Sequence, residues 1–223
     1  MSRPQAPTVP PGRSASRRPL GVTGPLVRAI RAADRRIGFT VRHGPAAYAA
    51  MAPRLAGPLH RRILAAAVAW AVDRPGLVIV DLGCGPGALT VDLGRGLPAA
   101  TVIGVEPSAR MLDIARAAAA PANVGFVEGS AELLPLPDAS VDLVVSSLSA
   151  HHWDDVAAAV RELRRVLRSD GRAWIYDVRF ATFTDEELAA VRGRLTLSAQ
   201  SLTRWIPTDQ GLLALFAVIG LTR

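Results

Sequence analysis

The stretch Val78-Ile79-Val80-Asp81-Leu82-Gly83-Cys84-Gly85-Pro86-Gly87-Ala88-Leu89-Thr90 constrains this chain more than any other. A short apolar run enters a turn with glycine at every second position, then leaves as a helical pattern. Glycine adopts positive φ at little cost, so the backbone can reverse there and come close to a ligand. A strand, a glycine turn and a helix in that order form the opening unit of a parallel α/β sheet. Ligands of such sheets sit at the carboxyl ends of the strands.

The rest of the chain beyond Gly76 agrees. Apolar runs predict strands over 77–81, 101–106, 123–128, 141–146 and 172–177, alternating with helices over 88–95, 108–118 and 154–168. The last helix directs Val156, Val160, Leu163 and Leu167 inward, with Asp170-Gly171 as its exit. Near-continuous apolar strands imply burial on both faces, hence a mostly parallel sheet between helices. Thr184 and Glu187 have capping-box spacing and open a further helix to about Leu195. The tail reads as an antiparallel hairpin, 201–207 and 212–222, around a turn at 209–211. An amphipathic helix over 209–219 is the alternative. The expected α/β architecture is therefore a seven-stranded sheet with a C-terminal hairpin.

Before Gly76 the composition changes. Residues 1–24 carry five prolines with Arg and Ser and few large apolar side chains, and read as disordered. Leu26, Ile30, Ala33 and Ile37 share one helical face, with Arg28, Arg31 and Arg35 opposite. A second helix over 59–72 turns Leu59, Ile63, Ala67 and Trp70 inward and stops at Asp73-Arg74-Pro75-Gly76. Residues 25–75 thus form a helical cap.

All 26 basic residues are Arg, and they are unevenly spread. Residues 1–62 hold 12 Arg against one acid, a net +11, while the remainder holds 14 against 18, a net −4. The basic character belongs to the N-terminal segment, whose cap-helix reading leaves the arginines solvated. In a second reading that helix makes peripheral contact with an anionic membrane. One cysteine excludes a disulfide framework and a multi-cysteine metal site, and no metal is expected. Neither a bilayer-length apolar run nor a secretory leader is evident, and the all-Arg, Ala-rich composition fits a GC-rich bacterial genome, so a cytoplasmic, bacterial protein is expected.

The second strand ends in Glu106, 19 residues after Gly87. An acid there can accept hydrogen bonds from both hydroxyls of a ribose. The glycines are spaced Gly-x-Gly-x-Gly, with Asp81 two residues ahead of them. A dinucleotide site has different glycine spacing and seats a pyrophosphate on the helix N-terminus. The Asp81 carboxylate would repel that group and suits a cationic ammonium or sulfonium ligand. On these motifs the chain resembles the class I S-adenosylmethionine-dependent methyltransferases, in particular the small-molecule branch with the ubiquinone and menaquinone biosynthesis enzymes. The resemblance covers about 76–177, and implies a Rossmann-like methyltransferase domain over 76–223.

The resemblance implies a role for each matching residue. Asp81 and Gly83 would hold the amino acid moiety of S-adenosylmethionine, while Gly85 and Gly87 shape the turn. Glu106 would grip the ribose, and Pro107 and Met111 would flank the adenine. Ser130, Ala131 and Glu132 would meet the adenine edge, with Ser130 where the family usually has Asp. Ser146, at the end of the fourth strand, completes the cofactor set.

His151 and His152 follow the fourth strand, where substrate-facing loops of this fold lie. One imidazole could act as a general base or orient the substrate, because its pKa lies near working pH. In the other reading one histidine is packed and hydrogen-bonded beside Trp153. The Asn/Asp-Pro-Pro-Tyr motif of nucleic-acid methyltransferases is missing, and Ser146-Ser147-Leu148-Ser149 stands in its place. No aromatic platform is interleaved with the basic segment. The expected partner is a small, apolar methyl acceptor and not nucleic acid. A non-catalytic, regulatory cofactor binder is the first alternative, and a nicotinamide-dependent oxidoreductase the second. The sequence leaves the oligomeric state open.

Overall fold

The structure is a computed structural model. The structure describes residues 39–178, 204–206 and 216–222, with isolated positions among 25–33 and at 183, 184 and 187. The expected Pro/Arg-rich tail, the turn at 209–211 and most of the helix to Leu195 lie outside the described residues.

Among the described residues seven strands form one sheet: β1 (Val78–Leu82), β2 (Thr101–Glu106), β3 (Val124–Glu128), β4 (Val141–Ser147), β5 (Leu167–Val178), β6 (Arg204–Ile206) and β7 (Phe216–Thr222). Their order is β3-β2-β1-β4-β5-β7-β6. β1 to β5 pair in parallel, and β7 runs antiparallel between β5 and β6. The hairpin reading of the tail holds, and the helical alternative fails because 216–222 pairs along the whole of 172–178. The order reverses direction between β1 and β4, which opens a crevice at their carboxyl ends.

Alternate residues of the central strands feed two cores. Ile79, Leu143, Val145, Trp174 and Tyr176 pack with Leu59, Ile63, Ala67 and Trp70 of α1 (Phe39–Ala71) and with Leu89 and Leu93 of α2 (Ala88–Gly96). Val80, Leu82, Val144, Ala173 and Ile175 pack with Val156, Val160 and Leu163 of α4 (Val156–Val166). α3 (Ala109–Ala117) starts at Ser108, whose hydroxyl accepts from the Met111 amide. α4 starts at Asp155, whose carboxylate accepts from the Ala158 amide.

Two elements differ from expectation. α1 begins twenty residues earlier than the 59–72 pattern indicates and breaks at Gly44, where φ is 82°. Its exit is as expected: Asp73 and Gly76 take positive φ, and the Arg74 guanidinium lies 4.6 Å from the centre of the Trp70 ring. α4 ends at Val166 and not near Arg168. The chain turns extended at Leu167 because Leu167 pairs with Val141 and the Arg168 guanidinium reaches Asp142. Asp142 in turn accepts from the Val78 amide at 2.8 Å, so one carboxylate ties three strands together.

Arg31 corrects the picture of solvated arginines. It is 4% exposed and pairs at 2.8 Å with Glu187, which also closes the expected capping box with Thr184. A residue placed on the solvent face thus ties the N-terminal helical segment to the region after β5. Arg28 is exposed, while Arg35 and most of the apolar stripe lie outside the described residues.

Candidate functional site

The glycine turn leaves β1 at the β1/β4 crevice. The Gly83 and Cys84 amides both donate to the Val105 carbonyl, at 2.8 and 3.1 Å, which binds the turn to β2. Gly83, Gly85 and Gly87 all have positive φ. Gly83 also needs to lack a Cβ, because one there would lie 2.4 Å from the Ser149 side chain. Gly87 packs on the Phe126 ring and Ala115, so its role is in shaping the turn and not in lining it.

Two carboxylates flank this turn. Asp81 is 1% exposed and accepts a 2.7 Å hydrogen bond from the Thr90 hydroxyl of α2. Burial pushes its pKa up to about 7; the Thr90 hydrogen bond opposes that rise and the Glu106 charge adds to it. Glu106 accepts from the Gly85 amide at 3.0 Å and from the Ser108 amide at 3.1 Å, which fixes its carboxylate at the end of β2. Burial raises its pKa too, while the two amides lower it. The Cys84 thiol is buried and pushed well above its usual range by desolvation and then by both acids, so it stays a thiol.

A cavity opens beside Asp81, Gly83 and Gly85. Its far wall is α1, through Tyr48, Ala52, Ala56 and His60, and Ser147 and Leu148 of the β4 end close it. Burial lowers the His60 pKa against the pull of Asp92, so His60 is neutral at pH 7. Ser147 is one of the residues lining this cavity, and its hydroxyl is buried with no hydrogen-bond partner. A buried hydroxyl without a partner costs about 1–3 kcal/mol, which a bound polar ligand would recover.

The loops around the crevice divide the remaining candidates. Met111 and Ala131 are buried, Pro107 is exposed and Ser130 is half-buried, bridged to Leu133. The Gly129 amide donates to the Glu106 carbonyl, which brings the 130–132 loop alongside the β2 end. Glu132 spends its carboxylate on the Asp154 and Asp155 amides, joining that loop to the start of α4. Ser146 points into a buried chain: its hydroxyl meets that of Ser149 at 2.7 Å, and Ser149 donates to the Leu82 carbonyl.

The two histidines separate clearly. His151 and His152 form a single 3-10 turn with Ala150, their rings 4.1 Å apart. Asp177, fully buried at the end of β5, accepts from the His151 amide at 2.8 Å and meets its ring Nδ1 at 2.7 Å. His152 is exposed, and Trp153 packs instead on Phe183. Asp177 has no role in the sequence reading. Thr90, Ser147 and Ser149 likewise carry no role in it.

Residues 80–175 match the family model described as a methyltransferase domain. This segment is a class I S-adenosylmethionine-dependent methyltransferase domain. An uncharacterized methyltransferase of Mycobacterium tuberculosis is 41% identical over 128 residues, 56% of this chain and 48% of that protein. The ubiquinone/menaquinone biosynthesis C-methyltransferase of Caulobacter vibrioides is 34% identical over 134 residues, 56% of this chain and 53% of its own. The chain spans about half the length of these curated relatives. Among solved structures, a TehB-like SAM-dependent methyltransferase from Corynebacterium glutamicum shares the fold at a TM-score of 0.60 and 20% identity. That match covers 80% of this chain and 97% of the other.

The cofactor of such a domain is S-adenosylmethionine, and the crevice of this methyltransferase domain fits it. A buried carboxylate suits the ammonium of its amino acid moiety, and the unpartnered Ser147 hydroxyl suits a polar group beside it. The glycine turn supplies the cradle without Cβ atoms, and Glu106 flanks it with a second carboxylate that could accept from a ribose.

Proposed function

We propose that the chain transfers a methyl group from S-adenosylmethionine to a small, apolar molecule. The observation that carries this reading is the pairing of Asp81 with the unpartnered Ser147 hydroxyl in one cavity, with Glu106 across the glycine turn. When bound, the cofactor offers a methyl group on a positively charged sulfur that is already activated, so positioning supplies much of the rate. Asp81, Gly83 and Ser147 would hold its amino acid moiety. Glu106 would take the ribose, and Pro107, Met111, Ser130 and Ala131 would line the adenine. Residues 76–223 serve as the catalytic domain and 25–75 as its cap. The apolar character of the acceptor is supported by the kinship to a quinone-pathway enzyme. Among the described residues no helix is long and apolar enough to cross a membrane.

Calorimetric titration with S-adenosylmethionine and with NAD(H) tests the cofactor assignment. We expect binding of the first only, with Asp81→Ala and Glu106→Ala each weakening it by about 1–3 kcal/mol. Variants that fold and bind like the parent would defeat the assignment. Release of S-adenosylhomocysteine over a panel of phenols, quinol precursors and fatty acids then separates an enzyme from a non-catalytic binder.

A further inference from the structure

The amino acid moiety of S-adenosylmethionine carries a carboxylate as well as an ammonium. Asp81 suits the ammonium and would repel the carboxylate. The amides of the glycine turn cannot take it, because each already has a partner. Gly83 and Cys84 donate to the Val105 carbonyl, Gly87 to the Cys84 carbonyl, and Gly85 to Glu106.

One ridge of α1 supplies what the turn lacks. Tyr48, Ala52, Ala56 and His60 follow one another at four-residue spacing on the same helix face, and all four line the cavity. Among the described residues that line it, His60 is the one side chain able to carry positive charge. No described residue hydrogen-bonds its ring, and Asp92 of α2 acts on it by charge alone.

We propose that His60 binds the carboxylate of the cofactor's amino acid moiety by donating a ring N–H to it. This inference rests on the methyl-transfer reading above. The cavity then takes a zwitterion, with Asp81 for the ammonium, His60 for the carboxylate and the Ser147 hydroxyl able to serve either.

The groups around His60 give this assignment a pH signature. Asp81 of β1, Cys84 of the turn and Tyr48 of its own helix share the cavity, and Asp92 lies on α2. Burial keeps the ring neutral at pH 7, and a bound carboxylate favours its charged form, so binding should raise the His60 pKa. Asp81, raised to about 7, must instead lose its proton to receive the ammonium. The two linkages oppose each other. A variant without the imidazole should therefore lose affinity more steeply below pH 7 than the parent does.

Calorimetry with S-adenosylmethionine and with its decarboxylated analogue, which keeps the ammonium and the sulfonium, tests the assignment. The parent should bind S-adenosylmethionine about 10–100-fold more tightly, and His60→Leu should remove most of that preference. The affinity of His60→Leu for the decarboxylated analogue should match the parent's, which also reports an intact fold. An undiminished preference in His60→Leu would overturn the proposal and hand the carboxylate to the first-turn amides of α2. An equal loss for both ligands would overturn it as well, leaving His60 as a wall of the cavity. The parent protein gives a second readout that needs no variant. The ring nitrogen resonances of His60, assigned by through-bond correlation to its Cβ, should move with S-adenosylmethionine and S-adenosylhomocysteine but not with the decarboxylated analogue. Equal shifts with all three would overturn the proposal. If the parent binds neither S-adenosylmethionine nor S-adenosylhomocysteine, the methyl-transfer reading itself fails, a result distinct from binding that ignores His60.

Discussion

A Cβ on Gly83 would lie 2.4 Å from both the Cβ and the hydroxyl oxygen of Ser149. Ser149 cannot retreat easily, because its hydroxyl is held by Ser146 and by the Leu82 carbonyl. Gly83 also has φ of 73°, which an L side chain resists. Gly83→Ala should therefore destabilise the protein by about 1–3 kcal/mol. Gly85→Ala should cost less, because its Cβ would meet only Tyr48, at 3.9 Å. Denaturation midpoints decide the order, and Ser149→Gly should recover part of the Gly83→Ala loss.

The pKa of Asp81, raised to about 7, predicts the pH dependence of both stability and binding. A carboxyl with a raised folded-state pKa binds more protons folded than unfolded, so stability falls as pH climbs from about 4 to 7. Asp81→Asn should therefore stabilise the cofactor-free protein at pH 8 and lose that advantage toward pH 4. At about 1.4 kcal/mol per unit, the gain is bounded by about 4 kcal/mol. Binding has the opposite sense. An ammonium prefers the ionised carboxylate, so S-adenosylmethionine affinity should drop below pH 7. Calorimetry near pH 6.5, in buffers of different ionisation enthalpy, should detect proton release on binding. Affinity that does not change between pH 5.5 and 8 would remove Asp81 from the ammonium site.

Arg165 is predicted to be irreplaceable by Lys. Its guanidinium donates to the Leu134 and Leu136 carbonyls, to Asp138 and to both oxygens of Glu162. Glu162 also accepts from the Leu134 amide, so the β3–β4 loop is bound to α4 from two sides. A lysine cannot reproduce that planar fork. Arg165→Lys should cost about 1–3 kcal/mol in urea denaturation, and hydrogen exchange should accelerate at 134–138 first. A variant with the parent's midpoint would show that the loop is held by Leu134 burial alone.

The sheet was legible because β1 to β4 and the 172–177 part of β5 are largely apolar runs that the two cores bury on alternate faces. The early part of α1 was not, since Gly44, Pro53, Gly57 and Pro58 punctuate it and its cavity wall is made of small residues such as Ala52 and Ala56. Asp81 and Glu106 could be found because their positions follow from strand ends. Asp177 could not be paired with His151, because only the β4–β5 neighbourhood brings them together. The same limit hid Thr90, whose link to Asp81 needs α2 folded back along β1. Glu132 shows the converse: its place after β3 suggested a ligand contact, yet its carboxylate is used to join two loops.

Arg31 and Glu187 yield the last prediction. Their contact joins the N-terminal helical segment to the capping box after β5, with side chains 5% and 26% exposed. Removing one partner of a largely buried pair leaves the other uncompensated, whereas removing both costs less. Arg31→Ala and Glu187→Ala should each destabilise by about 1–3 kcal/mol, and the double variant by less than their sum. The same pair bears on the membrane reading of the basic segment, since an arginine held by Glu187 has less to offer an anionic surface. If the pair holds in solution, Arg31→Ala should leave co-sedimentation with anionic vesicles unchanged while lowering the denaturation midpoint. Weaker sedimentation with an unchanged midpoint would mean that Arg31 leaves Glu187 and faces the lipid.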